Sequence, residues 1–196
     1  MIFFPVSLNL VGRKCVVIGD DREAVEKEAA LREAGADVNR IPISHAIDES
    51  ELCQSFFVIS TPQDAELSAR LRALADRHRF LLCCIDQPTY GFVAMAAIAK
   101  AGPVRIAIST AGLAPRVGKK IKNALQSVLD TTFVRFIDCL AAQRRRARKA
   151  HPDSSARRRR AMIEAADGFE IDVSLVYPHW FTDAGNQQLP HIPPKQ

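Results

Sequence analysis

No apolar run in the 196 residues approaches the roughly 20 needed to cross a bilayer. The N-terminus has neither the basic flank nor the small-residue cleavage site of a secretory signal. The expectation is a cytoplasmic protein with no membrane partner. Cysteine is sparse and odd in number: Cys15, Cys53, Cys83, Cys84 and Cys139 sit mostly inside apolar strand or helix patterns, and they read as buried thiols. Adjacent Cys83 and Cys84 face opposite sides of a strand, and no His or Cys stands near enough in sequence to complete a zinc knuckle, so no metal site is expected. Aromatic residues make up only 7% of the chain. None is interleaved with the basic run near residue 150, which argues against a base-stacking nucleic-acid surface.

What is present is a 47% hydrophobic fraction, ample for a packed core, and a net charge of +5. The positive excess gathers at Arg144, Arg145, Arg146, Arg148, Lys149 and Arg157 to Arg160, where it suits either a solvated helix face or a polyanion site. Earlier in the chain, short β-branched runs alternate with helical patterns. Strands are expected at Lys14–Ile18, Asp37–Ile43, Ser55–Ser60 and Phe80–Ile85, and helices at Arg22–Glu33 and Ala65–Arg77. Such alternation implies a parallel sheet covered on both faces, with ligands beyond its carboxyl edge. Val16, Val17, Ile18, Phe56, Phe57, Val58, Ile59 and Leu81 to Ile85 are the expected core.

After Pro88 the character changes. Phe92 to Lys100 is apolar and Ala-rich, and Val104–Ser109 reads as a strand. Helices are expected at Pro115–Leu129, Thr131–Lys149 and Arg158–Ala166, and little regular structure beyond Tyr177. The fold class is therefore α/β: a Rossmann-like parallel sheet over residues 1–112, a helical region over 113–150, and C-terminal helices with a tail over 151–196.

Three loops at strand ends carry the chemical candidates. Gly19, followed by a helix, places backbone N–H groups and a positive helix end together, the arrangement that holds a dinucleotide pyrophosphate. The usual fingerprint has three glycines; the corresponding residues here are Gly19, Asp21 and Ala24. Asp86 follows a strand, so its carboxylate is expected at the sheet edge facing the cleft as a proton acceptor, or else as a turn aspartate bonding its own backbone. Ser109-Thr110-Ala111-Gly112-Leu113-Ala114-Pro115 ends a strand and opens a helix, offering hydroxyls and N–H groups suited to a carboxylate.

These stretches, with Pro5 to Gly19 and Cys84-Ile85-Asp86-Gln87-Pro88, resemble the dehydrogenase/chelatase module of siroheme synthases, over roughly Phe3 to Ala150. That family usually has glycine where Asp20 and Asp21 stand. The resemblance implies NAD as cofactor, held by Gly19, Asp20, Asp21, Arg22, Ser60 and Thr61. It implies Asp86 as the catalytic residue, and Ser109, Thr110, Gly112, Arg116 and Lys119 as the binding residues for a tetrapyrrole. The stretch from Ser60 to Leu67 also reads as the N-cap and first turn of the following helix, with Thr61 or Asp64 capping.

The activity so implied is precorrin-2 dehydrogenase, oxidising precorrin-2 to sirohydrochlorin, with insertion of Fe²⁺ as a second step and a homodimer built on the helical region. With no methyltransferase half in these residues, the stand-alone type is expected. One alternative is a sirohydrochlorin chelatase or tetrapyrrole-binding protein that has lost NAD. The other is a nucleic-acid-binding or regulatory protein on a degenerate Rossmann scaffold.

Overall fold

The computed structural model describes residues 3–45 and 47–182. Its residues fall into two compact units that divide between Val134 and Arg135. In the first, four strands, β1 (Lys14–Ile18), β2 (Asp37–Ile41), β3 (Phe57–Ser60) and β4 (Leu81–Cys84), pair in parallel in the order β2-β1-β3-β4. Between them lie α1 (Arg22–Glu33), the one-turn α2 (Glu49–Leu52) and α3 (Ala65–His78). The parallel α/β expectation holds. Helix α2, which the sequence pattern did not announce, is fixed by a capping box between Asp48 and Glu51.

Strand β3 is buried along its whole length, and β1 and β4 nearly so, because helices cover both faces. The period-two alternation sorts the core cleanly. Val16, Ile18, Val58, Leu82 and Cys84 pack with Leu71, Leu74 and Ala75 of α3. On the opposite face Cys15, Val17, Phe57, Ile59 and Cys83 pack with Ala24 and Leu31 of α1. Phe56, expected in the core, is instead 36% exposed, with the Arg13 guanidinium over its ring. Cys53 and Cys139 are exposed, against the expectation of buried thiols, while Cys15, Cys83 and Cys84 are buried. Burial, as the leading cause, pushes the Cys83 thiol up to about 12 and raises those of Cys15 and Cys84, so these thiols stay protonated and inert.

Beyond β4 the parallel pattern ends. β5 (Ala97–Ala101) and β6 (Val104–Ile108) form a separate antiparallel hairpin, so the strand expected at Val104–Ser109 does not join the main sheet. Helix α4 (Pro115–Val128) packs on this hairpin, and Glu33 at the end of α1 ties it down through Lys100 (2.6 Å) and Arg105 (2.8 Å). A two-residue reversal at Gly102 makes an antiparallel partner directly available, whereas a fifth parallel strand would need a crossover.

α5 (Thr131–Ala150) straddles the boundary. The second unit continues with α6 (Ser155–Ala166) and the short α7 (His179–Thr182). Within it, Phe136 and Phe169 stack at 5.1 Å, and Arg158 closes the α5–α6 turn by donating to the carbonyls of His151 and Pro152. The tail, expected to hold little regular structure beyond Tyr177, forms the short α7 at His179–Thr182, and its remainder lies outside the described residues.

Candidate functional site

The direction of strand order reverses between β1 and β3, so the crevice for a ligand lies outside their carboxyl ends. Three loops meet there. After β1 comes Gly19 with φ +142°; a Cβ on it would stand 2.1 Å from Thr61 Oγ1 and 3.2 Å from the Ala24 Cβ. Only glycine fits, and Ala24, fully buried, is the small residue that lets α1 approach the sheet. In these respects the frame fits a dinucleotide.

The turn that would hold the phosphates is already filled. Asp21 is the N-cap of α1, and its Oδ1 accepts from the Ala24 N–H at 2.7 Å and from the Thr61 hydroxyl at 3.1 Å. Asp20 Oδ2 accepts from the Ile43 N–H at 2.8 Å, fastening the turn to the loop after β2. Two like charges about 5 Å apart repel by roughly 3 kcal/mol at an effective dielectric of about 20, so a phosphate here meets both competition and repulsion. Nor are the nearby cations aimed to relieve it. Arg22, expected to help hold the cofactor, pairs with Glu26 at 2.8 Å, and Lys27 pairs with Glu23 at 3.2 Å. The frame accommodates a dinucleotide, and its phosphate turn is occupied by the protein's own carboxylates.

After β3, Ser60 and Thr61 are both buried. Thr61 stitches the switch point: its N–H donates to the Ile18 carbonyl at 3.0 Å and its hydroxyl reaches Asp21. The Ser60 hydroxyl is buried without a hydrogen-bond partner among the described residues. Asp64 caps α3 through the N–H groups of Glu66 and Leu67, so it, and not Thr61, is the helix cap.

After β4 the chain turns sharply, with the Gln87 N–H returning to the Cys84 carbonyl. Asp86 is the third residue of this turn and takes φ +58°, the pattern of a type II turn, which aspartate tolerates better than most residues. Its side chain is exposed, and its Oδ2 accepts from Gln63 Nε2 at 3.1 Å. Gln63, which the sequence reading did not single out, thereby joins the β3 and β4 loops. Ser68 bonds Gln87 and holds the turn from below. Nothing local in the sequence signals these two contacts; both span about twenty residues.

The fourth loop leads from β6 into α4. Ser109 Oγ accepts from the Ala111 N–H at 3.2 Å and Thr110 Oγ1 from Ala114 at 3.4 Å, with Ala111 and Gly112 at positive φ. Pro115 opens α4, whose N-cap, Ala114, provides no side-chain cap. Arg116 and Lys119 are exposed in its first turns and form no ion pair among the described residues. Neither a hydrogen bond nor an ion pair links this loop to Gly19, Asp21, Thr61 or Asp86 among the described residues. The structure thus brings Gly19, Asp20, Asp21, Ser60, Thr61 and Asp86 to one sheet edge, and presents Ser109, Thr110, Gly112, Arg116 and Lys119 as a separate cluster.

In the second unit, Arg144, Arg148, Arg158 and Arg159 line an open cavity of about 780 Å³ with Ala147 and Met162. No group able to hold a metal ion occurs among the described residues. Among the same residues, no helix is long and apolar enough to cross a membrane.

A four-stranded parallel sheet with a glycine turn at its switch point defines a nucleotide-fold protein of the α/β class. Residues 6–97 match a family model described as "Putative NAD(P)-binding". Siroheme synthases from Nitrosococcus oceani and Hahella chejuensis are each 27% identical, covering 81% and 80% of this chain and 38% of their own length. The siroheme synthase of Gluconacetobacter diazotrophicus is 28% identical over 85% of this chain and 40% of its own. A solved structure described as SirC, precorrin-2 dehydrogenase, superposes with a TM-score of 0.65 at 20% identity, covering 85% of this chain and 90% of that one. The chain is similar to siroheme synthases over about four-fifths of its length, and it spans about two-fifths of theirs.

Proposed function

We propose that the protein is a precorrin-2 dehydrogenase that yields sirohydrochlorin. The reaction removes two hydrogens from the tetrapyrrole, one as hydride and one as a proton, and NAD⁺, when bound, takes the hydride. The observation that carries the reading is Asp86: an exposed carboxylate held in a left-handed turn at the carboxyl edge of the sheet, beside the switch-point crevice. Its Gln63 bond uses one lone pair of Oδ2 and leaves Oδ1 to receive the proton. Gln63 fixes the carboxylate's orientation, and the strained backbone keeps it clear of the sheet.

The substrate's carboxylates are assigned to the α4 start, where Ser109, Thr110, Arg116 and Lys119 gather at an uncapped helix end with no acidic residue in its first turn. The helical region is assigned to a homodimer. Val117, Ile121 and Val128 on one stripe of α4 are exposed in the single chain, as an interface would require. Fe²⁺ is a candidate second substrate, with the exposed Asp86 carboxylate as a candidate oxygen ligand. The setting of the reaction is the cytoplasm.

A second reading, a sirohydrochlorin chelatase or tetrapyrrole-binding protein without the redox step, is favoured by the filled phosphate turn. The nucleic-acid reading draws on the arginine-lined cavity alone, and that cavity has no aromatic lining on which bases could stack. Anaerobic incubation with precorrin-2, with and without NAD⁺, followed by absorption, separates the first two. Conversion to sirohydrochlorin only with NAD⁺ is expected. A folded protein that binds sirohydrochlorin but converts nothing selects the second reading.

A further inference from the structure

Resting on the dehydrogenase reading, we propose that Asp21 is a built-in competitor for the nucleotide's phosphates and sets a weak affinity for NAD. At the N-terminus of α1, the donors that a glycine turn would leave for an anion are in use. The Ala24 N–H and the Thr61 hydroxyl both point at Asp21 Oδ1, at 2.7 and 3.1 Å. A pyrophosphate reaches them only by displacing a carboxylate that is covalently part of the turn, and therefore present at high effective concentration. Asp20 resists the same movement, because its bond to the Ile43 N–H ties the turn to the loop after β2. The local cations reinforce the arrangement, since Arg22 and Lys27 face Glu26 and Glu23.

The tight Gly19 turn and the buried Ala24 of the dinucleotide frame are retained. Asp21 is the side chain that engages the Ala24 and Thr61 donors, and removing it is expected to free them for an anion. An ordinary binding residue behaves in the opposite sense: its loss weakens binding.

The test is calorimetric titration of NAD⁺ and NADH into the full chain and into D21G and D21N, with thermal unfolding in parallel. D21N retains a capping oxygen but loses the charge, so it reports on repulsion while keeping the helix start. D21G removes both. Expected are a Kd at least tenfold lower for D21G and several-fold lower for D21N, with the NADH series following NAD⁺. Folded variants that bind no tighter than the parent overturn the inference. If the parent nevertheless converts precorrin-2 with NAD⁺, the dehydrogenase reading stands and only the role of Asp21 falls. Absence of NAD binding in all three proteins, with no conversion, overturns both.

Discussion

Two helices in this molecule begin at a strand end with the same job available to them, and they begin differently. α1 starts on a carboxylate: Asp21 caps it, Thr61 backs the cap, and Gly19 is enclosed by its neighbours. α4 starts on Ala114 and Pro115 with no side-chain cap, after a glycine with nothing near it, and carries Arg116 and Lys119. One N-terminus is neutralised from within and the other is left for an anion from outside. On the proposed function, with a substrate rich in carboxylates and a cofactor that carries phosphates, that contrast puts the stronger anion affinity on the α4 side.

The largest effect is expected where chemistry, and not binding, is removed. Asp86→Asn keeps a residue that tolerates the left-handed turn and can still bond Gln63, but it cannot accept the proton. Turnover of precorrin-2 should fall by roughly 10²- to 10⁴-fold with an unchanged circular dichroism spectrum. An unaltered rate would take Asp86 out of the mechanism.

A pair of alanines reads the contrast directly. Gly19→Ala forces a Cβ into the Thr61 hydroxyl and should cost about 2–4 kcal/mol in urea unfolding. Gly112→Ala, also at positive φ but in open space, should cost only about 1 kcal/mol, the conformational term alone. Equal costs at the two sites would mean that the first turn is not packed as described.

Removing both cations at α4, with Arg116→Ala and Lys119→Ala together, should raise KM for the tetrapyrrole roughly tenfold with kcat little changed, and the difference should shrink as salt is added. A change in kcat alone would move the substrate's carboxylates elsewhere.

The smallest effect concerns the pin that holds the hairpin carrying α4. Hydrogen bonds from Lys100 and then Arg105, with their positive charges, hold the Glu33 carboxyl below its ordinary value. Its contribution is thus present above the unfolded-state value of 4.5 and is lost as pH falls through the lower folded value. Glu33→Gln should lower Tm slightly at neutral pH and make no difference in acid. A gap that persists in acid would assign the effect to packing. The Glu33 side chain is half exposed, so solvent screens the pair and the shift in Tm should be small.

Much of the first unit was legible because its signals are local. The continuous apolar run after Lys14 in β1, the apolar run before Ser60, and the stop at Gly35 after α1 all act within a few residues. Strand and helix bounds accordingly came out within a residue or two. Phe56 was misplaced because it stands just before β3, outside the strand, with the Arg13 guanidinium over its ring, a contact that the strand pattern does not signal. The hairpin of β5 and β6 was missed for a related reason: an Ala-rich strand carries little β signal, and its partner was known but its direction was not.

By itself the sequence determined a parallel α/β sheet, the positions of its turns, a resemblance to siroheme synthases, and the two carboxylates that stand where that resemblance leads one to expect glycines. What only the tertiary structure decided is what those groups touch. Asp21 meets Thr61 across 40 residues, Asp20 meets Ile43 across 23, and Gln63 meets Asp86 across 23. Such contacts depend on strand order and on the crossover that sets β1 beside β3. Chain neighbours specify a strand or a cap through backbone sterics and hydrogen bonds a few residues apart, but whether a carboxylate at a helix start is free or already engaged depends on a loop delivered from another strand.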